Sequence, residues 1–346
     1  MPETAPDTPW VSLLHDSTHG GGYGQPLAHA PAKVLWQLRL DDSVRSSPAL
    51  ADGLLNVTCL DGALHAIDVR TGREAWKFQT GASIHGTPSL TGSRVIFGND
   101  AGSVFALSRS NGRKVWERAA GGEVWTSPVT DGSGVFFGAA DGRFYAVDLE
   151  TGKPRWTYNA GARIYSTAYV TPGRLYFGCS DGKVYCLDPG SGKVTWTAET
   201  GDGIDSSPAL AGGAVLVGSE DFSLYAIDAA EGRIRWKYGT GLGISCSPAA
   251  SGNTVVVGSK DGYLYALDVA RGRLRWKVRM GNAVTASPVI AGGAVFIQGF
   301  GIHAVDLQTG KTLWCVPVGG SQRSSPVLDG KVMYVADTQG RVYALA

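Results

Sequence analysis

Eight residues occupy one place in a repeated phrase, and their types change while the phrase does not. They are Arg45, His85, Trp125, Tyr165, Asp205, Ser245, Thr285 and Arg323, each 40 residues after the last except for a final step of 38. The residue before each is Val or Ile in seven copies and Gln322 in the eighth. Two small residues follow, the second always Ser or Thr. A constant frame around one varied position is how repeat proteins decorate a surface for recognition. The residue types suit a small ligand. Arginine pairs with carboxylate or phosphate, Trp and Tyr offer flat faces with polar tips, and His exchanges protons near neutral pH. His85, Tyr165 and Asp205 are candidates for acid–base catalysis. Arg45, Trp125, Ser245, Thr285 and Arg323 are candidates for ligand contact. The competing reading is a filled channel: axial positions must hold something, and an Arg–Asp pair can plug one.

Tryptophan shows what must position these residues. Trp36, Trp76, Trp116, Trp156, Trp196, Trp236 and Trp276 are 40 apart, and Trp314 follows after 38. The text around each is the same; Gly258 to Trp276 reads GSKDGYLYALDVARGRLRW. A unit of this length with four short β-type runs predicts a four-stranded propeller blade. Around Trp236 the predicted strands are Ile204 to Leu210 (inner), Ala214 to Gly218, Ser223 to Ile227 and Arg233 to Tyr238 (outer). Asp-Gly at 61–62, 141–142, 181–182 and 261–262 predicts tight hairpins. Eight phrases and eight tryptophans predict an all-β, eight-bladed propeller. The last copy stops at Ala346 before any tryptophan, and Trp36 has no copy before it. Lys33 to Leu40 is therefore expected to supply the outer strand of the last blade, closing the ring and hiding its sheet edges. Closure makes Arg323, Arg45 and His85 neighbours, a basic arc for an anionic group. Trp125 and Tyr165 continue it, and Asp205 lies across the axis.

Composition narrows the function classes. Lys plus Arg number 31 against 30 Asp plus Glu, which argues against a nucleic-acid partner recognised by bulk charge. No stretch is long and apolar enough for a membrane span. The opening residues, Met1 to Trp10, contain no basic residue and no apolar run, so a cytoplasmic location is expected. The five cysteines form no C-x-x-C pair and read as small buried hydrophobes. No metal-ligand cluster is legible. The residues before each Asp-Gly, with Asn99, Asp100 and Glu220 among them, read as solvated loop.

The phrase A-x-D-x-x-T-G-x-x-x-W stands at Ala66, Asp68, Thr71, Gly72 and Trp76. It recurs at Ala146, Asp148, Thr151, Gly152 and Trp156, and at Ala304, Asp306, Thr309, Gly310 and Trp314. It resembles the tryptophan-docking motif of PQQ-like propellers, over residues 33–346. The resemblance implies that each tryptophan stacks on a glycine peptide of a neighbouring blade. The family's enzymes use PQQ with calcium, an adjacent-cysteine disulfide and large insertions between blades. This chain has no adjacent cysteines and almost no insertions, so no cofactor, PQQ included, is expected. Another branch, the propeller lipoprotein of outer-membrane assembly, is a scaffold and implies a protein partner at the rim.

Two domains of function remain open on residues 33–346: a small-molecule site at the axial mouth, with or without catalysis, and a protein-interaction scaffold. Residues 1–32 lack the repeat and are expected to form an arm, Trp10 to Gly24, packed on the propeller. Ring closure carries a prediction. Removing residues 1–40 should lower the melting temperature far more than removing 1–8, as read by thermal denaturation. A soluble, fully cooperative 41–346 fragment would mean that the ring closes some other way.

Overall fold

The computed structural model describes residues 30–31, 33–299, 301–318 and 324–346. They form eight antiparallel sheets of four strands each. In the first blade the strands are Ala49–Ala51, Leu54–Thr58, Ala63–Asp68 and Glu74–Gln79. The eighth blade pairs Val327–Asp329, Val332–Ala336 and Arg341–Leu345 with the strand Val34–Arg39. Trp36 lies opposite Ala344 and Leu38 opposite Val342 in that pairing. The ring therefore closes through the strand expected to close it. The proposed arm, Trp10 to Gly24, lies outside the described residues.

The inner strands are shorter than the sequence suggests. In the fifth blade the ladder covers only Ala209–Ala211, where Ile204 to Leu210 was expected. Pro208 explains the difference, because proline has no N–H to donate and holds the residue before it away from regular pairing. The residues ahead of it find other partners. The N–H of Thr167 donates to Ser207 Oγ of the next blade at 3.0 Å, and the N–H of Ser207 to Ser247 Oγ at 3.1 Å. The same bond links Ser47 to Thr87, Thr87 to Ser127, Ser127 to Thr167 and Ser247 to Ser287. Ser325 returns to Ser47 at 2.8 Å, and its own hydroxyl donates to the Ser287 carbonyl. A girdle of hydroxyl–backbone bonds thus runs around the axis, one step per blade. It accounts for the invariant Ser or Thr, which is buried in seven copies and half-buried at Ser287.

The outer part of each blade is held by tryptophan. Trp156 Nε1 donates to the Pro189 carbonyl of the next blade at 2.8 Å. A Cβ placed on Gly192, whose φ is +69°, would come within 2.5 Å of the Trp156 ring. Only glycine allows both that approach and that backbone conformation. The same indole-to-carbonyl bond recurs from Trp36, Trp116, Trp196, Trp236 and Trp276. The turn that presents the glycine is tied by aspartate: Asp188 Oδ1 accepts from the Ser191 N–H and hydroxyl. Between blades the core is apolar, as where Phe144 stacks on Phe177 at 4.4 Å. Trp156→Ala should therefore cost about 3–5 kcal/mol of stability, as for other large aromatics removed from packed sites. Chemical denaturation measures it. A loss no larger than that of an exposed surface substitution would contradict the packing just described.

Candidate functional site

The varied residues sit in the loops that lead from one blade's outer strand into the next blade's inner strand. Each loop is clamped on both sides. In the fifth copy the Ile204 N–H donates to the Cys179 carbonyl of the fourth blade, and the Glu220 N–H donates to the Gly203 carbonyl. Ile204 is fully buried, and a Cβ on Gly178 of the preceding blade would overlap it. The neighbouring Asp205 is thereby fixed in place while its side chain is free to differ. Val44, Ile84, Val124, Ile164, Ile244 and Val284 are seated the same way, all at most 3% exposed. The frame is structural, and the residue after it is not constrained by packing.

At these positions the structure places His85, Tyr165, Asp205, Ser245 and Thr285 half-buried, and Arg45 and Trp125 exposed. Arg323 lies outside the described residues. His85 stacks on Trp125 with ring centroids 4.6 Å apart, and Trp125 meets Tyr165 at 5.1 Å. An aromatic arc therefore spans three consecutive blades. One of its polar partners, Asp100, comes from the residues that the sequence left as solvated loop, and the other, Arg163, is two residues before Tyr165. His85 Nε2 lies 3.3 Å from Asp100 Oδ2, and Arg163 donates to the Tyr165 hydroxyl at 3.3 Å. Across the ring, Lys260 Nζ is 2.7 Å from both carboxylate oxygens of Glu220, bridging the fifth and sixth blades.

The three catalytic candidates are not joined into one relay. His85 has Asp100, Tyr165 has Arg163, and Asp205 feels the charges of Glu220 and Lys260. Burial holds the Asp205 carboxyl above the usual carboxylate range, and the Glu220 charge adds to it, against Lys260. His85 is held below the ordinary imidazole value mainly by burial. The Arg45 charge adds to that, while Asp100 and Glu123 oppose it. The arc is less basic than its ring residues alone imply, because Asp100 neutralises it from inside. With Asp100 as acceptor, a neutral His85 carries its proton on Nε2 and leaves Nδ1 as the basic nitrogen. Asp100 Oδ1 is buried and has no hydrogen-bond partner among the described residues. One signal in the chain pointed to these neighbours. The place before Asp-Gly or its counterpart is Leu60, Ala140, Ser180 or Thr338 in four blades but charged at Asp100, Glu220 and Lys260.

Four cysteines are buried, as expected, and Cys315 is exposed. Among the described residues no helix is long and apolar enough to cross a membrane.

The titration of His85 tests this electrostatic arrangement. Arg45→Ala removes a positive neighbour and should raise the His85 midpoint. Asp100→Asn removes a negative one and should lower it. Proton NMR of the imidazole resolves both, and shifts of the opposite sign would show that His85 does not sit between these charges.

A search of curated protein sequences gives no match. Solved structures give several. BamB from Moraxella catarrhalis is 18% identical with a TM-score of 0.79, covering 90% of this chain and 99% of that one. The quinohemoprotein alcohol dehydrogenase from Comamonas testosteroni is 16% identical with a TM-score of 0.80, covering 97% and 80%. A europium-containing methanol dehydrogenase is 12% identical with a TM-score of 0.83, covering 98% of each chain. At these identities the likeness is one of fold. The PQQ-like family model described as outer membrane protein assembly factor BamB matches residues 21–117, 82–196 and 160–346. The chain thus belongs to this family of PQQ-like β-propellers.

Proposed function

We propose that the protein binds a small, partly planar molecule with an anionic group at the axial mouth. One observation carries the reading: His85 is wedged between Asp100 and Trp125, and the second oxygen of Asp100 is buried without a partner among the described residues. A buried carboxylate oxygen left unpaired is costly, and a donor on a ligand satisfies it. Arg45 supplies a guanidinium for the ligand's anionic group, and Trp125 and Tyr165 supply apolar surface for its body. Ser245 and Thr285 line the side opposite the arc. Acid–base chemistry at His85 Nδ1 is a further step open to the same site, with a ligand atom as the proton donor. Because fold does not fix function, the dehydrogenase neighbours support no PQQ chemistry here.

A second reading has its own observation. Phe222 takes φ +70° where six other blades have glycine, and it is 47% exposed. Leu242, equally exposed, is on the loop whose Thr240 N–H donates to the Phe222 carbonyl. Exposed apolar side chains at one rim suit a protein partner, as the scaffold reading requires. Phe222→Gly would then abolish a protein complex and leave small-molecule binding intact.

Thermal-shift and calorimetric titrations with planar carboxylates and phosphates test the first reading. Arg45→Ala should weaken binding by about 1.5–3 kcal/mol, the loss of a charge-assisted hydrogen bond, with the ligand-free melting temperature unchanged or slightly higher. A large drop in ligand-free stability would make Arg45 a channel plug and overturn the reading.

A further inference from the structure

In the first blade, the hairpin between the second and third strands gathers side chains that no other described blade combines. Cys59, Asp61 and His65 bring a sulfur, a carboxylate oxygen and a ring nitrogen within 4.8 Å of one another. Cys59 is fully buried, His65 is 2% exposed and the Asp61 side chain 8%. In the third to sixth blades the histidine's place is held by tyrosine: Tyr145, Tyr185 and Tyr265 donate to Asp141, Asp181 and Asp261 at 2.5–2.6 Å, and Tyr225 donates to Asp221. Phe105 holds it in the second blade, and His303 in the seventh lacks the hairpin cysteine and aspartate. In the third to sixth blades the cysteine's place is held by Ala139, Cys179, Ser219 and Ser259.

The contacts of His65 call for a cation. Its Nδ1 lies 2.7 Å from Glu74 Oε2 and its Nε2 lies 3.0 Å from Asp61 Oδ2. A neutral imidazole has a single N–H. If that N–H faces Glu74, a nitrogen lone pair confronts a carboxylate, so a second proton or a metal ion must lie between them. A carboxylate on the far nitrogen is also what orients metal-bound histidines. The thiol of Cys59 lies 3.3 and 3.5 Å from the Asp42 and Ser43 carbonyls, weak sulfur bonds that Cys179 repeats in the fourth blade, where no histidine stands beside it. A bound divalent cation deprotonates a coordinating thiol. Lys77 Nζ, 3.4 Å from Asp61 Oδ2, also reaches Asp41 at 3.5 Å and has that alternative partner when Asp61 is taken.

We propose that Cys59, Asp61 and His65 form a binding site for a thiophilic divalent cation of the zinc class, with Glu74 as the positioning residue for His65. The mixed sulfur, nitrogen and oxygen set matches zinc, and three protein ligands leave a fourth position for water. Binding releases the Cys59 proton to solvent, together with the second His65 proton where it is present. The site is separate from the axial mouth and independent of the function proposed there.

The chain supplies its own conservative variants, since serine and tyrosine already stand at the equivalent places. Metal-stripped full-length protein is titrated with cobalt(II) and zinc(II). Wild type should take up one cobalt ion with a thiolate-to-metal charge-transfer band, and Cys59→Ser should lose that band. Zinc affinity, read by competition with a chromogenic chelator, should be lost in His65→Tyr and fall about 10–100-fold in Glu74→Gln. Metal-free melting temperatures of the variants should stay near wild type. His15, His19 and His29 offer other ligands in the same chain, so uptake unaffected by all three variants overturns the proposal. So does a wild type with no thiolate band, which would leave His65 as an imidazolium held between two carboxylates.

Discussion

The fold turns on a hydrogen bond between a backbone N–H and a hydroxyl one blade away. The inner strands of adjacent blades belong to separate sheets, so no ladder ties them together around the axis. Thr167 N–H to Ser207 Oγ, and its counterparts, supply that tie instead. The bond also settles the needs of residues just ahead of a proline, where regular pairing stops. Ser206 takes the neighbouring task within its own blade, its hydroxyl accepting the Gly218 N–H at 3.1 Å. Two adjacent hydroxyls thus point one within the blade and one across. An apolar pair there would leave buried N–H groups unsatisfied at every step of the ring, at about 1–3 kcal/mol each.

This frame explains how a varied residue can be placed accurately without being chosen for packing. Ile204 fills the space above Gly178, and both flanks of its loop are bonded to neighbouring hairpins. Asp205, next in line, inherits their rigidity. The same holds for His85 beside Ile84, which is why a half-buried imidazole can be held between a carboxylate and an indole. Sites on rigid supports of this kind keep their geometry when the side chains change.

Much of this was legible in the chain because a propeller is periodic along one dimension. Blade number, turn positions and closure by Val34–Arg39 follow from spacing alone. The inner strand was over-read because Ile204 to Leu210 looks extended, and extended residues need not lie in a ladder. The pairing of His85 with Asp100 was not legible, because it joins two loops 15 residues apart through a hairpin whose geometry only the fold supplies. Glu220 and Lys260 were hidden for the same reason, being 40 residues apart and on different blades. Cys59 looked like a buried hydrophobe, as Cys179 is. What distinguishes it is a histidine six positions on that replaces a tyrosine, a change visible only once the blades are aligned on one another.

The pairing of Val34–Arg39 with Arg341–Leu345 also sets a timetable. The two strands are separated by some 300 residues, so during synthesis the first waits while every other blade is made. At ordinary elongation rates of about 5–20 residues per second, that wait lasts roughly 15–60 s. Through it Trp36 and Leu38 have no sheet to join, and the seven earlier blades form an open arc with two bare ends. The nascent chain is therefore most exposed to chaperones, and to mispairing with a second copy, just before its final strand leaves the ribosome.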